Sequence, residues 1–491
     1  MLMDSHVCKW VLLVSLASTP LCFGFELGLR DPLFQLGVVP SSPAGAMVAQ
    51  SSTSPSSAPS RGCKSGPQVT YTLLDVVENA LCHNQKTSAA WANVKLQAAQ
   101  LGVAQSAYLP TLSGSVQVTK DRSTSLVSNG MDLSTDSSST YRNNTLMLNW
   151  VLYDFGVRSA TADNAQKLLI SALASQDNVA QSVFANAVKD YYAALVAQKN
   201  IEATQEIEAD AKNVFDAAVV RVQGGVAAIS DQLQAKTAYS QAVFNHNKAH
   251  GDWQTALGTL AIDIGQRPDT ALALIESSES NSNSAAEQEL ELVASVGALL
   301  ESARKTHPSL RAARADLAAA QANARMVRAQ GRPSISLVGR YNVNTQNAGL
   351  AQSSMPGRDR SIGIQADIPF FEGFSRTYKI QSAEAQVEGK EASLADAELQ
   401  VALSVWSNYQ ELKVSAENLH TSQDIADSAQ AAFNAAESRY QKGVANIVEV
   451  ISTQTALANA RQQRIAALAG WQNARIQLAA SVGSMDLSAL R

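Results

Sequence analysis

Apolar and polar residues alternate with a period of two in four stretches of this chain. In the first, Leu112, Gly114, Val116 and Val118 alternate with Thr111, Ser113, Ser115 and Gln117; in the second, Leu146, Leu148, Trp150 and Leu152 share one face. Much later, Ile335, Leu337, Gly339, Tyr341 and Val343 oppose Ser334, Ser336, Arg340 and Asn342. Finally, Ile362, Ile364, Ala366, Ile368 and Phe370 oppose Gln365 and Asp367. The pattern predicts four strands of about ten residues, each with one apolar and one hydrophilic face. It fits a strand between lipid and water and equally a half-buried soluble sheet.

Between and after the strand pairs the period changes to three and four, as at Phe184, Val188, Tyr191 and Leu195, the spacing of a helix packing seam. Between Gly156 and Gly224 lie 67 residues with no Gly or Pro, and Phe374 to Lys442 holds a single Gly389 and no Pro. At 1.5 Å per residue each stretch predicts a helical rod about 100 Å long. Pro110 and Pro333 end the helices that enter the strands.

These features recur in one order. "AYLPTLSGSVQV" is echoed by "QGRPSISLVGRYNV", "LYDFGVRSATADNAQ" by "FFEGFSRTYKIQSAEAQ", and "RVQGGVAAISDQ" by "RYQKGVANIVEV" 218 positions later. The chain is a tandem duplication. Each half is expected to run helix, strand, strand, very long helix, turn, helix, in repeats 69–265 and 290–484 joined by a linker, 266–289. In each R-x-x-x-G-V turn, Arg221, Gly225 and Val226 or Arg439, Gly443 and Val444, the glycine suits the left-handed residue that ends a helix.

The polar connections 119–144 and 344–360 are long, as loops outside a membrane barrel often are, and favour the lipid reading of the strands. Four strands cannot close a barrel, and open edges are not tolerated in hydrocarbon, so copies of the chain must share one of eight, twelve or sixteen strands. Downstream of the amino terminus no run of 18 apolar residues offers a spanning helix.

"CKWVLLVSLASTPLCFG" places Lys9 before an apolar core and predicts a signal peptide over residues 1–24. The Ser- and Pro-rich stretch 25–68 reads as a flexible leader, and 485–491 as a tail. That leaves Cys63 and Cys82 in an exported domain, either disulfide-linked or as two thiols.

Composition, 46% hydrophobic but 6% aromatic, supplies small side chains for close helix packing; a net charge of −5 without a basic block argues against nucleic acid. There is no phosphate loop, H-E-x-x-H, CxxC pair or G-x-S-x-G, so neither catalytic residues, metal nor cofactor are expected, and the alternating strands and tip turns argue against an exported coiled-coil stalk.

The duplicated layout, the proline-led strands, the pairs Tyr153-Asp154 and Phe371-Glu372 before the long helices, and the doubled R-x-x-x-G-V turn resemble the TolC family of outer-membrane efflux ducts over about residues 70–484. "TLLDVVENALCHN" is most similar to members serving type I protein secretion. The resemblance implies a homotrimer in outer-membrane lipid, with a 12-stranded barrel of four strands per chain continuing into a tunnel of long antiparallel helical coiled coils in the periplasm. It implies that the turns meet a periplasmic adaptor, itself served by an inner-membrane ABC transporter or proton-driven pump. On matching positions Tyr440, Ser230 and Asp231 resemble gate links, and Glu449 an acid of the tunnel constriction. Ala445 and Ser452 depart from the family, which carries a basic latch residue and a second acid there. Glu449 also has a local reading, because "NIVE" is a capping-box arrangement.

Overall fold

The computed structural model describes residues 70–128, 132–275, 296–348 and 355–483. The first half contains β1 (Thr70–Tyr71), α1 (Leu73–His83), α2 (Gln85–Ser106), β2 (Thr111–Ser128), β3 (Asp132–Tyr153), α3 (Val157–Gln223) and α4 (Ile229–Asp263). After β4 (Ala273–Leu274) the second half supplies α5 (Val296–Thr306), α6 (Pro308–Gln330), β5 (Ser334–Ala348), β6 (Met355–Asp367), α7 (Ser375–Gln441) and α8 (Ile447–Val482). Among these residues no helix is long and apolar enough to cross a membrane.

Both long helices are 67 residues and start 218 positions apart. Gly389 is accommodated inside α7 without a break. The helix expected before each strand pair is two helices. Asn84 caps α2, its side chain accepting from Lys86 N at 2.9 Å. In the other half His307 caps α6 by accepting from Ser309 N at 3.2 Å, with Pro308 opening the helix. His83, which occupies the position in the first repeat equivalent to His307, is the last residue of α1. The two repeats still correspond at these breaks, where each closes on itself. A Cβ on left-handed Gly265 would lie 2.6 Å from the His83 carbonyl oxygen, and one on left-handed Gly483 would lie 3.0 Å from His307 Cα.

The four long strands form one antiparallel sheet in the order β2-β3-β5-β6, leaving β2 and β6 as its edges. They are longer than the alternation predicted: 18, 22, 15 and 13 residues. Most of the polar connection 119–144 is paired strand, since ladder hydrogen bonds depend on backbone and not on an apolar face. A parallel pairing of β1 with β4 reaches into the expected linker.

Helix α6 lies between α3 and α7 and holds both through arginines. Arg311 and Arg325 pair with Asp177 and Asp163 of α3, while Arg314 and Arg328 pair with Glu398 and Glu384 of α7. Each set repeats after two heptads, running antiparallel. This is the charge pattern of a coiled-coil flank, worth little per exposed pair but informative about register. The largest apolar cluster gathers Val76, Val77, Val183, Val188, Tyr191, Leu260 and Ile264 where α1, α3 and α4 meet.

Candidate functional site at the hairpin tips

The R-x-x-x-G-V turns end the long helices by one mechanism. Val226 N donates to Arg221 O at 3.0 Å and Gly225 N to Val222 O at 3.0 Å; Val444 N donates to Arg439 O at 2.9 Å and Gly443 N to Tyr440 O at 3.0 Å. These are the two nested bonds of a Schellman ending, which needs its glycine in the left-handed region, and Gly225 and Gly443 have φ of 72° and 77°. The recurring Arg is thus the residue whose carbonyl receives the outer bond. Its side chain is free for other work, and the two arginines use that freedom differently.

Arg221 leaves its own hairpin. Its guanidinium centre lies 4.6 Å from the Tyr440 ring centroid and it donates a hydrogen bond to the Tyr440 carbonyl. The two tips of one chain are thereby joined over a shared core of Val214, Ala218, Ala235, Phe433, Ile447 and Val450. Tyr440 is buried, and its hydroxyl has no hydrogen-bond partner among the described residues. Burial pushes the phenol above its ordinary pKa; the Arg221 charge opposes the rise and the Asp231 charge adds to it. Asp231 is therefore close enough to be felt, but its contact within the chain is with Ser230, whose hydroxyl donates at 3.3 Å.

Arg439 turns back on its own hairpin, donating to Glu449 at 2.7 Å. Asn446 accepts from Glu449 N at 2.9 Å, so half of the capping box forms, and the Glu449 carboxylate is held by Arg439. The equivalent acid of the first tip, Asp231, forms no ion pair among the described residues. Ala228 also replaces the Asn cap there, and α4 starts without a side-chain cap. The sequence marked Tyr440, Ser230, Asp231 and Glu449; it did not mark Arg221 as the partner of Tyr440, because 219 positions separate them.

Val226 and Val444, at the apex of each turn, are 70% and 68% exposed. Just behind them α3, α4 and α8 enclose a groove of about 740 Å³ lined by residues including Leu233, Gln241, Val448, Ile451 and Gln454.

At the other end of the long helices, Asp154 caps α3. Its carboxylate accepts from Arg158 N at 2.8 Å and Arg158 Nε at 2.9 Å. Arg158 also donates to the carbonyls of Val151 and Leu152 and covers the Tyr108 ring at 4.8 Å, binding the end of β3 to the start of α3.

Cys82, on α1, is disulfide-bonded. Cys63 and the expected signal peptide, leader and tail lie outside the described residues.

Residues 76–266 and 299–484 match the family model described as outer membrane efflux protein. Protein CyaE of Bordetella pertussis is 30% identical over 422 residues, 85% of each chain. Outer membrane efflux protein BepC of Brucella suis is 24% identical over 394 residues, 79% of each. The solved CmeC outer membrane channel of Campylobacter jejuni superposes with a TM-score of 0.70 at 16% identity, covering 85% of this chain and 87% of that one. With both repeats matched along most of their length and the same hairpins and strand pairs in place, the chain belongs to the outer membrane efflux protein family, the TolC-like channels of the outer membrane.

Proposed function

We propose that this chain is the passive exit duct of a type I protein secretion system. The family provides the channel: three copies act together, spanning the outer membrane with strands and the periplasm with helices. Two unpaired sheet edges, on β2 and β6, are what such sharing needs, because each finds its partner only on a neighbouring chain. The observation that carries the secretion reading is the similarity to CyaE over 85% of both chains, together with the "TLLDVVENALCHN" stretch. BepC, whose name denotes efflux, favours a second reading as the duct of a drug or metal pump. A duct moves cargo without altering it, so the proposal includes no catalytic step and no cofactor.

In this reading the tips are the working end. The exposed valines Val226 and Val444, with Arg221, Gly225, Arg439 and Gly443 shaping the turns, dock the periplasmic adaptor. The tip contacts hold the tunnel closed at rest. Arg221 fastens the two hairpins within a chain, while Tyr440 and Asp231, with Ser230 beside it, link to a neighbouring chain. Glu449 lies at the constriction as part of an ion pair with Arg439, and Arg221, held against Tyr440 and close to Gly443, takes the place of the basic latch absent at Ala445. The repeats 69–265 and 290–484 are the two hairpin-bearing halves, and Cys63 is the partner of Cys82.

Chemical crosslinking in cells followed by affinity purification and mass spectrometry of the attached inner-membrane component tests the reading. An ABC transporter with its adaptor is the expected result; recovery of a proton-driven pump in its place overturns protein secretion in favour of efflux.

A further inference from the structure

The outward face of the sheet carries a line of cations whose position follows from strand register. Arg358, Val343, Asn144 and Val116 stand directly opposite one another across the four strands and so share one face. By the period of two, that face also carries Leu112, Val118, Leu146, Leu148, Leu337, Ile362 and Ile364. It is the lipid-facing side. The cations Lys120, Arg142, Arg358 and Arg360 are on it, all exposed. Arg122 shares the face. The nearby acids Asp121 and Asp359 have the opposite parity and face the lumen. Lys120, Arg142, Arg358 and Arg360 form no ion pair among the described residues; Arg360 lies 5.3 Å from the Tyr341 ring centroid.

The cations are level once strand tilt is considered. Lys120 lies four residues beyond Val116, so from Arg358 to Lys120 the line climbs four residues over three strand spacings. That is about 13 Å against about 14 Å, an angle of about 42°. Barrel strands tilt by about 35–45°. The feet of the strands climb equally: Thr111, at the foot of β2, is in register with Gly363, four residues above Asp367 at the foot of β6. Lys120 and Arg358 are therefore both nine residues above their strand feet. Nine residues at that tilt rise about 22 Å, close to the height of about 25 Å typical of the apolar band. The helices hang from the periplasmic feet, so this row lies at the outer leaflet's headgroups.

We propose that this row, repeated three times around the trimer, is a binding belt for the phosphate groups of the outer leaflet's phosphorylated glycolipid, lipopolysaccharide. Arginine forks match phosphate oxygens in bidentate geometry, and at the level of the row the face carries no carboxylate; the acids of β3 that share its parity, Asp136 and Asp132, stand opposite Thr124 and Ser128, four and eight residues beyond Lys120. Neutral headgroups would gain nothing from that sorting. Arg340, on the lumen face of the same sheet, is outside the belt.

The test uses detergent-purified trimers stripped of lipid, with melting followed against added lipopolysaccharide, its enzymatically dephosphorylated form, phosphatidylglycerol or inorganic phosphate. Lipopolysaccharide should stabilise the wild type, the dephosphorylated form much less, and phosphatidylglycerol or phosphate little. The variant carrying Lys120→Gln, Arg142→Gln, Arg358→Gln and Arg360→Gln should need at least about tenfold more lipopolysaccharide for the same shift, while Arg340→Gln responds as wild type. If the fourfold variant does not assemble, the pairs Lys120→Gln with Arg142→Gln and Arg358→Gln with Arg360→Gln are titrated separately, and each should show a smaller loss. Equal response of wild type and variants overturns the belt. Equal stabilisation by phosphatidylglycerol or by inorganic phosphate overturns glycolipid as the occupant.

Discussion

Removing Arg221 isolates a polar contact that joins the two hairpin tips of a chain above their shared apolar core. Arg221→Ala deletes a guanidinium over the Tyr440 ring and a hydrogen bond to the Tyr440 carbonyl, but leaves the Schellman turn intact, because that turn uses only the Arg221 backbone. A cation over an aromatic ring contributes about 1 kcal/mol at a partly exposed site, and a charged donor to a carbonyl about 1.5 kcal/mol. With Arg221 half-buried, the sum discounts to about 2 kcal/mol per chain. Three chains act on one aperture, so concerted opening would be resisted by about 6 kcal/mol from this contact alone, enough to change an open fraction by about four orders of magnitude. Planar-bilayer recording should therefore show Arg221→Ala trimers with larger conductance or far longer openings than wild type, at unchanged trimer yield on native gels. Arg221→Lys keeps a charge but loses the planar fork, and should fall between the two. Arg221→Ala trimers that conduct and gate like wild type would refute the clamp.

Tyr440→Phe combined with Asp231→Ala should also raise conductance, whereas Tyr440→Phe alone should leave the Arg221 contact in place and act only if a neighbouring chain engages the hydroxyl; recording the single and double variants side by side separates the cases. Replacing Glu449 with Ala should weaken cation preference in reversal-potential measurements, and Arg439→Ala should strengthen it by releasing the carboxylate from its ion pair; unchanged selectivity in both removes Glu449 from the conduction path. Asp263 is pushed up to about 7, first by burial and then by a hydrogen bond and charge from Asp190, with Lys86 opposing. Because the folded carboxyl holds its proton above the unfolded value, stability should fall as pH rises from about 4 to about 7, and Asp263→Asn should flatten that part of a melting-temperature profile. Alkylation of native protein without reduction should leave Cys63 and Cys82 unlabelled; labelling of Cys63 would show that Cys82 has another partner.

What the sequence reveals here depends on range. The 67-residue helices were legible because an absence of Gly and Pro over such a length leaves helix as the economical backbone choice, and the strand faces because alternation survives wherever one side meets lipid. The turns were legible because a Schellman ending fixes its glycine in the chain itself. Strand ends were not, since β2 and β3 continue as polar ladders beyond any apolar pattern. Nor was the two-residue pairing of β1 with β4, too short to have a period. At the tips, Asn446 could be read as a cap, but the choice of Glu449 between its own backbone and Arg439 depends on hairpin geometry. The Arg221 to Tyr440 contact bridges the two repeats and exists only once both are folded.

The joint between sheet and long helix places two successive residues in the left-handed region in each repeat, Phe155 and Gly156 at φ of 51° and 99°, then Gly373 and Phe374 at 59° and 64°. Glycine occupies the second place in one joint and the first in the other, so one non-glycine residue in each must accept about 1 kcal/mol of strain. Each joint is also the root of a cantilever about 100 Å long. One degree of looseness there sweeps the distant tip through about 1.7 Å, more than half a hydrogen-bond length. A joint soft enough to wander by a few degrees would aim its hairpin at the wrong neighbour. Fixing Arg158 to Asp154 and to two strand carbonyls is thus an act of aiming, carried out at the membrane on behalf of contacts a full helix away.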